Sequence, residues 1–161
     1  MARTTHKPDF VNEDVGPQGD VEVVEGHRLA VEIRSPDGPI WSGWARSVTV
    51  PGSKGGMGIL PRHAPLMSSL DVGLTRVREP GGAEHRFITG AGLVEVHANR
   101  VLVLVDFGER PEHVDVARAQ AARDRASARL RSPGEELDRA RAEAALARAV
   151  QRLRYAGQPR L

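Results

Sequence analysis

Alanine and arginine dominate the last third of the chain, and this composition limits most strongly what the chain can fold into. Residues 112–155 contain twelve alanines and a single proline, Pro133. Alanine and arginine are strong helix formers, and proline is tolerated only in the first turn of a helix. Ser132-Pro133-Gly134 therefore divides the segment into helices predicted near 114–131 and 135–154. Because so short a turn makes two helices run antiparallel, residues 112–155 are predicted to form a helical hairpin.

Short runs with strand character fill residues 27–111, and turn-forming residues separate them. The predicted strands cover 29–34, 44–51, 73–78, 85–89, 93–97 and 101–105. Gly52 to Gly56 is predicted to be a loop. Val101 to Val105 is apolar at every position, which predicts a central strand covered on both faces. The predicted fold class is α+β, an N-terminal antiparallel β-sandwich followed by a C-terminal antiparallel α-helical hairpin.

Residues 1–26 form a polar tail with an acidic balance. Its only cationic side chains are Arg3 and Lys7, and the balance is −4 because six acidic residues accompany them: Asp9, Glu13, Asp14, Asp20, Glu22 and Glu25. Gly16-Pro17-Gln18-Gly19 interrupts any periodicity, which predicts a disordered tail. The tail lacks the apolar stretch of a signal peptide and the acid-poor character of a mitochondrial presequence. Residues 156–161 are also expected to be flexible.

The composition removes several classes of function. The chain has no cysteine, so disulfides, thiolate zinc sites and a cysteine nucleophile are excluded. No two of its six histidines have the i, i+4 spacing of a helical metal site, and no serine lies in a nucleophile elbow. Gly52 to Gly58 differs from a phosphate-binding loop, since its lysine precedes most of the glycines and no predicted helix follows. We therefore predict no catalytic residue, no metal site, no required cofactor and no direct membrane insertion.

The two predicted helices are basic, because the segment from Val114 to Arg154 holds ten arginines and six acidic residues, a balance of +4. Acidic residues interrupt every arginine run, so one interpretation is a solvated face with i, i+3 and i, i+4 ion pairs. The other is a cationic surface for an acidic partner, and both can hold together. Aromatic residues make up only 4% of the chain. We therefore expect no nucleic-acid partner, and a free-standing adaptor that binds nucleic acid through these helices is the alternative.

The order of motifs over residues 28–154 resembles the epsilon subunit of bacterial F-type ATP synthases. The most specific segment, residues 58–66, reads GILPRHAPL and is similar to the family's G-I-x-P-x-H-A-P-L. Val114 to Ala119 resembles the family's [I/L]-D-x-x-R-A helix start, with valine at the first position. Ile88 to Val96 resembles its glycine-punctuated strand. The acidic tail departs from the family, since most members begin near the first strand.

The resemblance implies a non-catalytic rotor subunit of the central stalk. In the family the sandwich binds the gamma subunit and the c-ring. The hairpin either folds against the sandwich or extends into the alpha/beta catalytic head and blocks ATP hydrolysis. A peripheral place on the cytoplasmic side of the bacterial inner membrane is also implied. Because buried alanine contributes little, the hairpin is predicted to dock marginally and to have two arrangements of similar free energy.

Regulatory ATP is the ligand that the resemblance implies. On a helical projection Asp115, Arg118 and Arg125 fall within roughly 80° of one another, and Arg148 and Arg152 share a face of the second helix. In an antiparallel hairpin these faces can converge and clamp a triphosphate through guanidinium groups. In nucleotide-binding epsilon subunits the matching positions contact ATP, and here they are Glu109, Asp115, Arg118, Arg125, Arg148 and Arg152. The alternative is that Asp115 and Arg118 form only an ordinary i, i+3 pair.

Overall fold

A computed structural model describes residues 27–131 and 136–157. The acidic tail at 1–26, the turn Ser132-Pro133-Gly134 and residues 158–161 lie outside the described residues. The chain forms a β-sandwich followed by a pair of helices, which confirms the predicted fold class. In the described part of the chain, no helix is both long enough and apolar enough to cross a membrane.

Ten strands lie in the described residues, all before the helices. They are β1 (Leu29–Ser35), β2 (Gly38–Ala45), β3 (Ser47–Gly52), β4 (Gly55–Ile59), β5 (Leu66–Leu70), β6 (Gly73–Arg78), β7 (Glu84–Thr89), β8 (Gly92–His97), β9 (Arg100–Val105) and β10 (Gly108–Glu109). The hydrogen-bonded order is β10-β7-β6-β3-β5-β8-β9-β1-β2, and β4 pairs with β3 outside this path. Neighbouring strands are antiparallel except β1 and β9, which are parallel.

One apolar core lies between the layers of the sandwich. Alternate residues of most strands point into it, as Val48 and Val50 of β3 do, and both are fully buried. Strand β1 differs, because every residue from Leu29 to Ile33 is buried, Glu32 included. Each large apolar side chain in this core stabilises the fold by about 1.5–3 kcal/mol, so the sandwich holds most of the burial energy of the chain.

Two predicted strand boundaries are wrong. Residues 44–51 do not form one strand, because β2 ends at Ala45 and β3 begins at Ser47. Arg46 lies between them, and its backbone N–H donates to the carbonyl of Arg78 on β6, which is a neighbour of β3 and not of β2 in the sheet. The predicted loop 52–56 is also too long, since β4 already begins at Gly55 and pairs with β3. Glycine has a low strand propensity, but ladder hydrogen bonds need no side chain.

The prediction that β9 is covered on both faces is also wrong. Its residues alternate, with Val101, Val103 and Val105 buried and Leu104 exposed. The strand is central in the sheet, between β8 and β1. Its second face nevertheless lies on the outside of the sandwich, where nothing in the described residues covers Leu104.

The helices are α1 (Val116–Arg131) and α2 (Glu136–Tyr155), and the 3-10 turn Pro111–His113 precedes α1. The buried residues that the structure describes in these helices are all alanines, Ala119 and Ala126 of α1 and Ala142 and Ala149 of α2. The spacing of seven residues within each helix keeps these alanines on one face. Small side chains allow the helices to approach closely but bury little apolar surface.

Helix α2 lies against the sandwich in this structure. The Nε atom of Arg152 donates to Oε1 of Glu109 on β10 over 2.5 Å, and the Arg152 guanidinium carbon lies 4.6 Å from the centre of the Phe107 ring. The end of α2 is thereby attached to β10, the short strand at one end of the sheet. This arrangement is the folded one of the two that the sequence predicts.

Candidate anion-binding site

A cleft of about 410 Å³ lies between the two helices and the end of the sandwich. Its volume falls within the usual range of small-molecule sites. All six residues predicted from the sequence line it, namely Glu109, Asp115, Arg118, Arg125, Arg148 and Arg152. His113 and three alanines, Ala119, Ala122 and Ala145, complete the lining. Residues up to 43 positions apart in the chain therefore meet in one place.

Three elements place the charged groups of the cleft. Arg118 and Arg125 project from α1, Arg148 and Arg152 project from α2, and β10 supplies Glu109. Strand β10 approaches β2 closely, since a Cβ atom on Gly108 would collide with the side chain of Ile40. Glycine at this position therefore allows Glu109 to reach the end of α2.

The cleft is cationic, and three of its guanidinium groups have no partner among the described residues. Four arginines and two carboxylates give it a formal charge of +2. Arg152 is paired with Glu109, whereas the side chains of Arg118, Arg125 and Arg148 form no hydrogen bond or ion pair with any residue that the structure describes. Converging guanidinium groups of this kind favour a multivalent anion such as a polyphosphate.

Asp115 caps the first helix rather than pairing with an arginine side chain. Its Oδ1 atom accepts a hydrogen bond from the backbone N–H of Arg118 over 2.9 Å, and its carbonyl accepts one from Ala119. A capping aspartate typically stabilises a helix by about 1 kcal/mol. The expected alternative, an i, i+3 pair between the two side chains, is absent from the described contacts, so the guanidinium of Arg118 stays available in the cleft.

The outer face of the hairpin carries surface ion pairs instead. They join Arg123 to Asp124 at 2.9 Å, Arg139 to Glu143 at 3.3 Å and Arg141 to Asp138 at 3.8 Å. Hydrogen bonds from Arg123 and, to a lesser extent, Gln120 hold the pKa of Asp124 below its usual value. The interpretation as a solvated face with ion pairs therefore applies to the outer face. The interpretation as a cationic surface for an acidic partner stays a prediction, and the cleft arginines without a partner among the described residues are where it would apply.

Sequence reasoning missed His113 as a residue of the cleft. It lies in the 3-10 turn between Glu109 and Asp115, and it lines both the cleft and a neighbouring pocket that includes Phe107. Its position in the sequence, between the predicted site residues Glu109 and Asp115, could have identified it as a residue of the cleft. Sequence reasoning also missed the three alanines, whose small side chains leave the space that makes the cleft.

An exposed apolar patch on the outer face of the sheet was also missed. Leu93 of β8 and Leu104 of β9 face each other across the ladder and are 48% and 45% exposed. Met67 of β5 is exposed on the same face and Leu102 of β9 is half-buried there, with Glu95 between them in the ladder. Exposed apolar side chains such as the adjacent pair Leu93 and Leu104 mark interaction surfaces. We call Met67, Leu93, Leu102 and Leu104 the outer apolar patch.

The GILPRHAPL segment forms a structured turn between β4 and β5. Arg62 adopts a left-handed backbone conformation with φ of 66°, and its N–H donates to Oδ1 of Asn99 over 2.6 Å. The Nδ1 atom of His63 lies 2.8 Å from the carbonyl oxygen of Ala64. Leu60 is exposed beside this turn. The segment thus holds an exposed leucine and two polar side chains in a fixed shape.

Comparison with known proteins places this architecture, a small β-sandwich with a helical hairpin and a cleft between them, among subunits of rotary ATP synthases. Residues 28–111 match the ATP synthase Delta/Epsilon chain beta-sandwich domain, and residues 112–157 match its long alpha-helix domain. The chain belongs to the ATP synthase delta/epsilon chain family. The resemblance expected from the sequence is therefore confirmed.

Bacterial relatives and solved structures agree with this assignment. The ATP synthase epsilon chain of Lawsonia intracellularis is 47% identical over 108 residues, which cover 67% of this chain and 80% of the relative. That of Pelotomaculum thermopropionicum is 44% identical over 100 residues, 62% of this chain and 74% of the relative. A chain of the Euglena gracilis mitochondrial ATP synthase OSCP/F1/c-ring assembly, 22% identical, has the same fold with a TM-score of 0.69 over 91% of this chain and 94% of its own. A chain of the Tetrahymena thermophila mitochondrial ATP synthase central stalk and c-ring, 14% identical, aligns with a TM-score of 0.57 over 83% of this chain and 99% of its own.

Proposed function

We propose that the chain is a central-stalk subunit that couples proton translocation to ATP synthesis in an F-type ATP synthase and restrains ATP hydrolysis through its hairpin. The observation that carries this proposal is the family match over both the sandwich and the hairpin. The bacterial origin of the relatives supports a peripheral place on the cytoplasmic side of the inner membrane. The chain purified from its native membrane complex is expected to accompany the gamma subunit and to hydrolyse no ATP by itself. Hydrolysis by the pure chain would count strongly against the proposal.

The gamma subunit is the partner that we assign to the outer apolar patch. Leu93 and Leu104 are cross-strand neighbours, so they present a continuous apolar surface on a rigid sheet. Burial of about half of two leucine side chains is worth on the order of 1.5–3 kcal/mol, enough to change an association constant about tenfold or more. The c-ring is assigned to the turn around Leu60 and Arg62, which is exposed and fixed in shape.

A substitution in the outer apolar patch tests the first assignment. Leu104→Glu is expected to reduce the yield of gamma recovered with the chain at least tenfold, because a carboxylate is then desolvated in the interface. Val103→Glu cannot serve as a control, since Val103 is fully buried in the core. The matched control is Val116→Glu, because Val116 is an exposed apolar residue on the hairpin. Equal recovery of gamma with both variants would contradict the assignment.

We assign regulatory ATP to the cleft. Three guanidinium groups without a partner among the described residues, together with the +2 charge, support a triphosphate as the ligand. The family resemblance of the sequence implies ATP contacts at these positions. Arg118, Arg125 and Arg148 would bind phosphate oxygens, where bidentate hydrogen bonds to anions are strong. Glu109 would accept a hydrogen bond from the base or hold Arg152 in place, as it does in this structure. ATP would then favour the folded hairpin, because the complete cleft requires both helices and the sandwich.

Calorimetric titration of ATP into the chain tests this assignment. Arg118→Ala and Arg125→Ala are each expected to weaken binding by roughly tenfold, as loss of a charged hydrogen bond usually does. Arg129→Ala is the matched control, because Arg129 is an exposed arginine of the same helix that does not line the cleft. Absence of heat at millimolar ATP, or equal binding by all the variants, would remove the assignment.

A further inference from the structure

The turn between β8 and β9 has a backbone conformation that its sequence only half favours. Its two central residues, Ala98 and Asn99, have left-handed φ angles of 47° and 59°, and they join the paired residues His97 and Arg100. A two-residue hairpin turn with positive φ at both positions is usually built from Asn-Gly or Asp-Gly. Asparagine tolerates this region, whereas the Cβ atom of alanine is strained there. Such a conformation persists where contacts with the surrounding structure hold it in place.

Asn99 connects this turn to two other segments of the sandwich. Its carbonyl oxygen accepts the backbone N–H of Ala30 on β1 over 2.9 Å, and its Oδ1 atom accepts the backbone N–H of Arg62 over 2.6 Å. Any residue could make the first bond, but the second needs a side chain with an acceptor at this reach. The ladder between β5 and β8 ends at the pair Leu66 and Val96. The side chain of Asn99 therefore extends the attachment between these segments beyond the end of the ladder.

The turn between β4 and β5, residues 60–65, depends on this attachment for its shape. Arg62 is itself left-handed, with φ of 66°, although it is not a glycine. The side chains of Leu60 and Arg62 are exposed, so burial of apolar surface contributes little to holding them. Within the turn, the backbone N–H of His63 donates to the carbonyl of Leu60 over 3.1 Å. The bond from Arg62 to Asn99 is what fixes the turn against the rest of the sandwich.

We propose that Asn99 is a positioning residue for the contact between the β4–β5 turn and the c-ring. Its side chain holds Arg62 in the left-handed conformation and thereby presents Leu60 and Arg62 in one orientation before the partner binds. The proposal rests on the proposed function, which assigns the c-ring to this turn. A surface that is already ordered loses less conformational entropy on association, so it binds more tightly than a mobile turn with the same side chains. Asn99 acts through Arg62 and requires no contact of its own with the c-ring.

Amide hydrogen exchange of the full chain tests whether Asn99 fixes the turn. Asn99→Gly removes the Oδ1 acceptor and keeps the left-handed conformation, because glycine adopts positive φ freely. The Arg62 amide is then expected to exchange about threefold to tenfold faster, as the loss of one hydrogen bond implies. The Ala30 amide should stay protected, because its acceptor is the backbone carbonyl of residue 99.

Two further variants separate the acceptor from the flexibility of the turn. Asn99→Asp keeps an oxygen acceptor in the same place, so it should leave the Arg62 amide protected. Ala98→Gly is the matched control, because it puts a glycine into the same turn without removing Oδ1. An Arg62 amide that exchanges at the same rate in Asn99→Gly as in the unaltered chain would overturn the proposal. Equal acceleration in Asn99→Gly and Ala98→Gly would also overturn it, since turn flexibility would then be the cause.

The proton-pumping yield of membranes that carry each variant tests whether the fixed turn serves the c-ring contact. Asn99→Gly is expected to lose part of the yield at a nearly unchanged melting temperature, and Asn99→Asp and Ala98→Gly are expected to retain it. A merely structural role would lower the melting temperature in step with the yield. If Arg62→Glu lowers the yield and Asn99→Gly does not, the c-ring assignment stands and the positioning role fails. If neither variant lowers the yield, the c-ring assignment itself fails, and the positioning role fails with it.

Discussion

Removal of the Arg152 side chain should release the hairpin from the sandwich. The ion pair between Arg152 and Glu109 is partly shielded, with side chains 31% and 28% exposed, and Arg152 also lies over the Phe107 ring. Such a pair contributes up to about 1 kcal/mol, and a cation–π contact about 0.5–1 kcal/mol. Arg152→Ala should therefore cost about 1–2 kcal/mol of docking free energy, a shift of roughly 5–30-fold toward the undocked arrangement.

Distance measurement between two spin labels can detect this shift. The chain has no cysteine, so labels can be placed specifically at Asp37→Cys in the β1–β2 turn and Arg139→Cys on α2, both exposed positions. The docked hairpin should give one narrow distance, and Arg152→Ala should add a population at longer distances. Arg129→Ala removes the same charge from an exposed helical position outside the cleft, so it should leave the distribution unchanged.

A double-mutant cycle shows whether Glu109 is the residue through which Arg152 holds the hairpin against the sandwich. Glu109→Gln and Arg152→Ala are measured singly and together by the same labels. A coupling free energy of about 0.5–1 kcal/mol is expected from the ion pair. An unchanged distance distribution in Arg152→Ala would refute the reasoning, and a coupling near zero would leave Phe107 as the contact that holds the helix.

Two further predictions concern the parts of the chain around the cleft. Truncation after Glu112 should leave a folded sandwich, because all ten described strands precede it, and should raise ATP hydrolysis by the reassembled synthase while synthesis persists. Equal hydrolysis with and without residues 113–161 would show that the hairpin does not inhibit. Arg62→Glu should lower the proton-pumping yield of membranes more than it lowers the melting temperature, because Arg62 holds its turn through its backbone N–H. An unchanged yield would argue against contact between this turn and the c-ring.

The sequence predicted the helices and hairpins well because their signals are local. The strands at 73–78 and 85–89 were found because turn residues lie between them, and β6 and β7 confirm them. The sequence failed to predict burial where the burial of a strand face depends on what packs against it. Val101 to Val105 is apolar throughout, yet Leu104 faces outward because nothing in the described residues covers that side of β9. A one-dimensional pattern cannot distinguish a leucine that faces a core from one that faces a partner.

The cleft shows the same division between local and long-range information. Helical periodicity placed Asp115, Arg118 and Arg125 on one side of α1, and the structure brings them beside the arginines of α2. The periodicity did not reveal that the carboxylate of Asp115 accepts the backbone N–H of Arg118, since capping depends on where the helix begins. Nor did it reveal the pair between Glu109 and Arg152, which are 43 residues apart.

Arg152 connects docking of the hairpin to binding in the cleft. Its guanidinium touches Glu109 and Phe107 on the sandwich and also lines the cleft with Arg148 on the same helix. The docked hairpin therefore brings the four arginines of the cleft together. Of these four, only Arg152 contacts Glu109 and Phe107 on the sandwich. An anion bound in the cleft would remove the repulsion among the other three arginines. Because coupling is reciprocal, the anion would stabilise the docked hairpin by the same free energy by which docking strengthens anion binding. Under the proposed assignment, ATP bound in the cleft would therefore hold the hairpin against the sandwich.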